Sequence, residues 1–374
     1  MFRSGQPVQW MVEETQDMSK TRDMQAKGQT NIVGLVAILL LIVVGTVAVL
    51  LVMRTDTTGS GGNRLGEQFQ YDLSVVRKTD PKLVHYELAA SFPTGMDAPR
   101  GIACDVQGRI HVGGGHQGKG AIRQFDPQGQ ELASFAASGP VFALTLADGT
   151  VFAALKDHVE VIGHDGKAKA RWPVSAGSLF TSIAVGGERA FVADYAKRRV
   201  LRYDLSGKLL GVIEPKDADS TFAVPSPYFD LAVDAHDRLW VANPGKHRLE
   251  AYTLDGVKTL QWGKPSVEID GFCGCCNPVN FALLPDGRFV TAEKGLPRVK
   301  VHTAEGQFES VVVGADAFPE DYACINRGPS DCQGGGMDVA VDNAGRILVL
   351  ETHEKAVRVY VKKERQPAIG NRQQ

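Results

Sequence analysis

From about residue 83 to residue 363 the chain repeats one arrangement of short strands and turns six times, and nothing else in it restricts the fold as tightly. Each unit opens with an apolar, alternating strand that ends in a Gly- or Asp-bearing turn. The six openings are IACDVQG (102–108), LTLADG (144–149), IAVGG (183–187), LAVDAHD (231–237), FALLPDG (281–287) and VAVDNAG (339–345). A second strand follows, as in RIHVGG, RLWVAN, RFVTAE and RILVLE. A third then leads to a second turn at Gly129, Gly166, Gly207, Gly256 or Gly306. From first turn to second turn the landmarks lie 21, 17, 20, 19 and 19 residues apart, whereas successive first turns lie 41, 38, 50, 50 and 58 apart. The interior of the unit is nearly constant in length, and the variable length falls between units. Repeats of about 40 residues made of short alternating strands predict a propeller of four-stranded blades. No segment after residue 53 keeps a helical period, which argues against a parallel-sheet α/β fold.

Six opening motifs predict an all-β, six-bladed β-propeller over residues 83–363. The last unit stops at VRVYVKK (357–363) without a fourth strand, and only the polar tail 364–374 follows. HYELAASF (85–92), a spare strand ahead of the first unit, is expected to complete blade six, so that both termini close the ring and remove a free sheet edge. PRGIACDVQGRIHVGG (99–114) and FVADYAKRRVLRYDLSGK (191–208) resemble NHL repeats, a six-bladed family marked by P-x-G-I-A-V-D, G-R-I-Y-V-A-D and R-V-x-x-Y/F. Blade two (143–171) departs furthest, lacking the charged lead of the third strand. The resemblance implies the fold. The family includes partner-binding modules and a few enzymes, and related propeller hydrolases and lyases hold a metal at the channel mouth.

Ahead of the repeats, Ile32–Met53 is a run of 22 residues without a charge. A helix of that length crosses a hydrocarbon core of about 30 Å. Residues 31–53 are therefore expected to be one N-terminal transmembrane helix, and the absence of a small-x-small site after them makes it an uncleaved signal-anchor. Lys20, Arg22 and Lys27 precede the run, against Arg54 and Arg64 after it. That excess puts the tail 1–30 in the cytoplasm and the bulk of the chain outside it, in a periplasm or a similar compartment. Residues 54–82 are a tether by composition, with TDTTGSGGNRLGEQFQ at 55–70. The charge balance, 41 basic against 43 acidic residues with no basic block, speaks against a nucleic-acid partner.

In a propeller the innermost strand of each blade lines the axial channel. The residues just before the six openings, Gly101, Ala143, Ser182, Asp230, Asn280 and Asp338, should share one level of it. Asp230, Asn280 and Asp338 offer hard oxygen ligands from successive blades, a candidate site for Ca²⁺ or a similar cation. The same residue types also cap strand ends by bonding to backbone, and that alternative carries more weight. The long insertions EPKDADSTFAVPSPY (214–228), GKPSVEIDGFCGCCNP (263–278) and GADAFPEDYACINRGPSDCQGGG (314–336) all join an outer strand to the next inner strand. They share one face, where binding is expected.

Five cysteines, Cys273, Cys275, Cys276, Cys324 and Cys332, lie in the last two insertions. Disulfides are the first reading for an exported chain. A thiolate metal site holding Zn, Cu or iron–sulfur and a redox-active pair are the others. Cys104 on an inner strand is expected to be a buried, inert thiol. GGGHQGKG (113–120) nearly matches a phosphate-binding loop but lacks the Ser or Thr and a following helix, so it is expected to be a hairpin, with His116 idle at the surface. Arg100 and Lys294 are expected to be surface charges that an anionic ligand would meet. No hydrolase signature occurs. The expected function is a membrane-anchored module that binds another exported or membrane protein, or a small ligand, through its loop-rich face. A metal-dependent hydrolase or lyase and a redox or metal-handling subunit are the alternatives.

Overall fold

The computed structural model describes residues 34–47, 49, 76–215, 221–274, 276–319, 322 and 336–364. The chain divides into two units, Met1–Leu65 and Gly66–Gln374. In the first, residues 34–47 are helical and their large apolar side chains are exposed. No described helix is long and apolar enough to cross a membrane. The rest of the expected span, the tail 1–30 and the tether through residue 75 lie outside the described residues, as do the 365–374 end and Cys275, Cys324 and Cys332.

The second unit is a six-bladed β-propeller of six four-stranded antiparallel sheets. Its inner strands are Ala98–Cys104, Ala143–Ala147, Phe180–Gly186, Leu231–Val233, Asn280–Leu283 and Asp338–Val341. These coincide with the six opening motifs. The ring closes as the spare strand requires: Tyr86–Pro93 pairs antiparallel with Ala356–Lys362, from Tyr86 opposite Lys362 to Pro93 opposite Ala356. Blade six thus has a fourth strand from the other end of the chain.

Local chemistry explains the constant interior of each unit. In three first turns one aspartate ties the hairpin. Asp105 Oδ1 accepts from the backbone N–H groups of Gln107 and Arg109, both at 2.9 Å, while Oδ2 meets Arg109 Nε at 2.6 Å. Asp234 with Arg238 and Asp342 with Arg346 repeat the arrangement. The second turns need glycine for two reasons. Gly306 has φ +84°, and a Cβ there would lie 2.2 Å from the Trp262 ring on the preceding blade's outer strand. Gly129 against Phe92, Gly166 against Phe135 and Gly207 against Trp172 repeat this close approach.

The core is divided among the gaps between blades. Each of six buried clusters combines residues of two neighbouring sheets; one holds Val290, Val299 and Val301 of blade five with Val339, Ile347 and Val349 of blade six. A fully buried side chain of this size contributes about 1.5–3 kcal/mol, so the blades are held face to face mainly by this packing.

Candidate functional site

Inner strands begin at the face where the insertions arrive, and the hairpins between second and third strands turn back at that same face. Along the axis runs a cavity of about 770 Å³, lined by the inner strands of all six blades, with Arg100, Phe142, Tyr228, Asp230, Asn280 and Asp338 among its walls.

The six equivalent positions do fall together, and their side chains join blade to blade. Ser182 Oγ donates to Asp230 Oδ1 at 2.7 Å, linking blades three and four. Asp230 Oδ2 accepts from Phe281 N–H at 2.8 Å, linking four and five. Asn280 Nδ2 donates to the Met337 carbonyl at 2.7 Å, linking five and six. Asp338 Oδ2 accepts from Ile102 N–H at 2.9 Å, linking six and one across the closure. Between blades one and two no side chain fits: a Cβ on Gly101 would sit 2.9 Å from Ala143 Cα.

Asp230 and Asp338 are half-exposed to the channel but shielded from bulk water by the surrounding blades. That burial pushes both carboxyls up. Asp338 is raised further by the charge of Asp230 and reaches about 8, while the Ser182 hydroxyl and two backbone N–H groups hold Asp230 lower. No ion pair reaches either acid among the described residues. Nor is there a group of three His, Cys, Asp or Glu positioned to hold a metal. The Asp230, Asn280 and Asp338 set therefore offers two carboxylates and one amide, each already bonded to backbone.

The last residue of a blade's second strand pins the insertion that enters the blade. Asp194 accepts from Ser178 Oγ at 2.7 Å and from Leu179 N–H. Asn243 Oδ1 accepts from Ala223 N–H at 2.9 Å. Glu293 accepts from Cys273 N–H at 3.0 Å and is itself held by Arg298 and Lys300, each at 2.8 Å. Lys300, fully buried, also donates to the carbonyls of Ile269 and Gly271. This Glu293–Arg298–Lys300 group escaped the sequence reading. Its signal was present: Arg298, Lys300 and His302 alternate in a strand whose five residues are all buried.

Two expectations change. Lys294 is not a surface charge. It is 6% exposed, its Nζ donates to Ser226 Oγ at 2.9 Å and lies 4.8 Å above the Tyr228 ring, because the 214–228 insertion folds over the hairpin that carries it. His116 is not idle: its ring lies within 3.5 Å of Asp97 and 3.4 Å of Arg123. Cys104 is half-buried, packed against the core between blades one and six at the channel wall, and burial pushes its thiol up to about 12, which keeps it protonated and inert. Arg100 is exposed at the mouth, with its guanidinium 4.5 Å from the Phe142 ring. The 113–120 segment is a hairpin joining strands Ile110–His116 and Lys119–Phe125.

Among the described residues no disulfide occurs. Cys273 is half-buried, and burial raises its thiol. Cys276 is buried and accepts a bond from Ser226 Oγ at 3.4 Å.

No family model matches the chain, and no curated protein does. Among solved structures, a streptogramin B lyase aligns with TM-score 0.51 at 11% identity, over 74% of this chain and 98% of its own. The WD40 domain of Neurospora crassa Pan2 aligns at 11% identity with TM-score 0.49, over 78% and 98%. Virginiamycin B lyase from Staphylococcus aureus aligns at 17% identity with TM-score 0.47, over 75% and 90%. At such identities the likeness is one of fold alone.

Proposed function

We propose that this is a membrane-anchored, extracytoplasmic propeller of NHL type whose loop-rich face binds a partner protein. The observation that carries the reading is the pinning of the insertions. Asp194, Asn243 and Glu293 each hold an incoming loop by buried hydrogen bonds, so the loops form a prearranged surface on a rigid ring. The polar groups of Ser182, Asp230, Asn280 and Asp338 are meanwhile committed to blade-to-blade bonds. A photo-crosslinker at Gln117, on a hairpin of the loop-rich face, should give a discrete heavier species in native membranes. The same group at Gln128, on the opposite face, should give none. Absence of a Gln117 adduct, or equal adducts from both sites, would overturn the reading.

A second reading has one observation in its favour. Two carboxylates, Asp230 and Asp338, line one channel, the charge of Asp230 raises the proton affinity of Asp338, and no ion pair reaches either acid among the described residues. A cation such as Ca²⁺, with Asn280 and waters completing its shell, would relieve that repulsion and could activate a water for a hydrolase or lyase. Calorimetric titration with Ca²⁺ tests it: saturable binding that disappears in Asp338→Asn supports a channel cation, and no binding removes the reading. A redox or metal-handling role depends on Cys275, Cys324 and Cys332, outside the described residues.

A further inference from the structure

One cluster of reactive side chains lies outside the channel, where the link from blade one meets a hairpin of blade two. Ser138 is exposed in the link from strand Glu131–Ala137 to strand Ala143–Ala147. Its Oγ lies 3.5 Å from His158 Nε2, and His158 Nδ1 lies 2.9 Å from Asp157 Oδ1. Asp157 and His158 sit on the hairpin between strands Thr150–Ala154 and Val159–Ile162, closed by Leu155 N–H on the His158 carbonyl at 2.9 Å. The next link fixes this turn from outside: Ser175 N–H donates to the Asp157 carbonyl and Phe180 N–H to the Lys156 carbonyl, both at 2.8 Å. Glu160 Oε2 accepts from Ser138 N–H at 3.1 Å and holds the serine beside the imidazole. Ser138, Asp157 and His158 all lie outside the lining of the channel cavity.

We propose that Ser138, His158 and Asp157 form a further site, a serine nucleophile with its base and orienting acid, that hydrolyses uncharged carboxylic esters. Such a triad is recognised by geometry and roles, not by sequence position. His158 Nδ1–H donates to Asp157, which leaves the lone pair of the neutral imidazole on Nε2, toward the serine hydroxyl. His158 is 6% exposed and shielded from water, whereas Ser138 is open to a substrate. A separation of 3.5 Å between nucleophile and base is usual before a substrate draws them together. In the reaction Oγ bonds to the ester carbonyl carbon as its proton passes to His158 Nε2. The C–O bond to the alcohol then breaks, and the alcohol leaves with that proton. Water attacks the acyl-serine with the same base, releasing the carboxylic acid and restoring the hydroxyl. Glu160 Oε1, 3.7 Å from Nε2, stabilises the imidazolium formed between these steps. The N–H of Gly139, next after the nucleophile, has no backbone acceptor among the described residues, which leaves it for the developing oxyanion.

The surroundings restrict the ester. Asp157 and Glu160 place negative charge on both sides of the base, which disfavours an anionic acyl group. Pro140 and Val174, on the links before and after blade two, are exposed and apolar. Ser138 stands at the surface and outside the channel cavity, so a short acyl group suits it better than a long chain. This activity needs neither the membrane anchor nor the channel acids.

The test treats the full chain in detergent with a fluorophosphonate, a reagent for activated serines, and maps the adducts by mass spectrometry. Ser138 should be labelled many-fold faster than Ser134, which is exposed on the adjoining strand, and the difference should vanish in urea. 4-Nitrophenyl acetate should be hydrolysed several-fold faster than the 4-nitrophenyl half-ester of succinate, whose acyl group is anionic. Ser138→Ala, at an exposed position, should keep the thermal melt of the parent chain and abolish both signals. His158→Gln should slow the labelling about 100-fold. Asp157→Asn, at the positioning residue, should lower kcat about tenfold or more with KM unchanged. No Ser138 adduct on the native chain, equal labelling of Ser138 and Ser134, or labelling unchanged in His158→Gln would overturn the site. Equal rates for the two esters would overturn the substrate class. The comparison of native chain with urea uses no variant, so it decides the matter even where His158→Gln does not fold.

Discussion

Glu293 in blade five is a buried acid and Asp338 in blade six a half-buried one, and the fold treats them in opposite ways. Glu293 is fully enclosed within its sheet and matched by Arg298 and Lys300 at 2.8 Å. Burial alone would drive Lys300 toward its neutral form, and the Glu293 carboxylate opposes that. Asp338 lines the channel, accepts two backbone N–H bonds and is influenced by the charge of Asp230, with no ion pair among the described residues. A compensated charge inside a blade fixes geometry and is costly to disturb. An uncompensated pair in a channel responds to protons or to any cation that enters.

The comparison can be broken most directly at Glu293. Glu293→Ala leaves Arg298 and Lys300 buried without their acid and should lower unfolding stability by about 3–5 kcal/mol, measured by urea denaturation. It should also raise the hydrogen exchange of Cys273 N–H, which loses its acceptor. A loss below 1 kcal/mol, to the same order, would show that the group does not anchor the loop.

Gly306→Ala ranks next, because it forces a side chain into a left-handed backbone and against Trp262. The expected cost is about 1–3 kcal/mol. Gly345→Ala, with a left-handed φ of +74° but open space around its Cβ, should cost less and isolates the packing term.

The channel pair should reveal itself through pH. The carboxyls of Asp230 and Asp338 lie above their unfolded value near 3.8, so the folded state holds protons that the unfolded state has released. Stability is therefore highest below about pH 4 for this contribution and falls as pH rises toward about 8. Glu351, raised to about 7 by burial, adds to the same slope. Asp338→Asn should flatten the decline in a pH series of thermal melts, and Glu351→Gln should remove only its own part. A slope unchanged in Asp338→Asn would refute the coupling of the two aspartates.

The smallest effect belongs at the surface. Lys264 and Asp270 are paired in solvent, and Lys264→Ala should change stability by less than about 0.5 kcal/mol. A larger loss would mean that the Cys-bearing insertion depends on its rim as well as on Glu293.

Much of the fold was legible in the sequence. The alternating openings, the turn glycines and the spare strand at 85–92 led to six blades closed by both termini, because strand period and turn chemistry are local properties. The equivalence of Gly101, Ala143, Ser182, Asp230, Asn280 and Asp338 was legible for the same reason. Their partners were not: a cation and a neighbouring backbone N–H place the same demand on a carboxylate, and only position decides between them. Lys294 looked like surface charge since lysine in a Gly-Pro turn usually is. The 214–228 insertion, which covers it, lies 66 residues earlier in the chain, counted from Tyr228.

The sequence by itself determined the number of blades, their strand boundaries, the manner of closure and the face on which the insertions gather. These follow from repeats in which each residue is constrained by neighbours a few positions away. The tertiary structure alone decided which acids have an ion-pair partner among the described residues and which cation is buried. Those outcomes depend on side chains tens to hundreds of residues apart meeting in a low-dielectric interior. There a displacement of a few ångströms determines whether a charge has a partner.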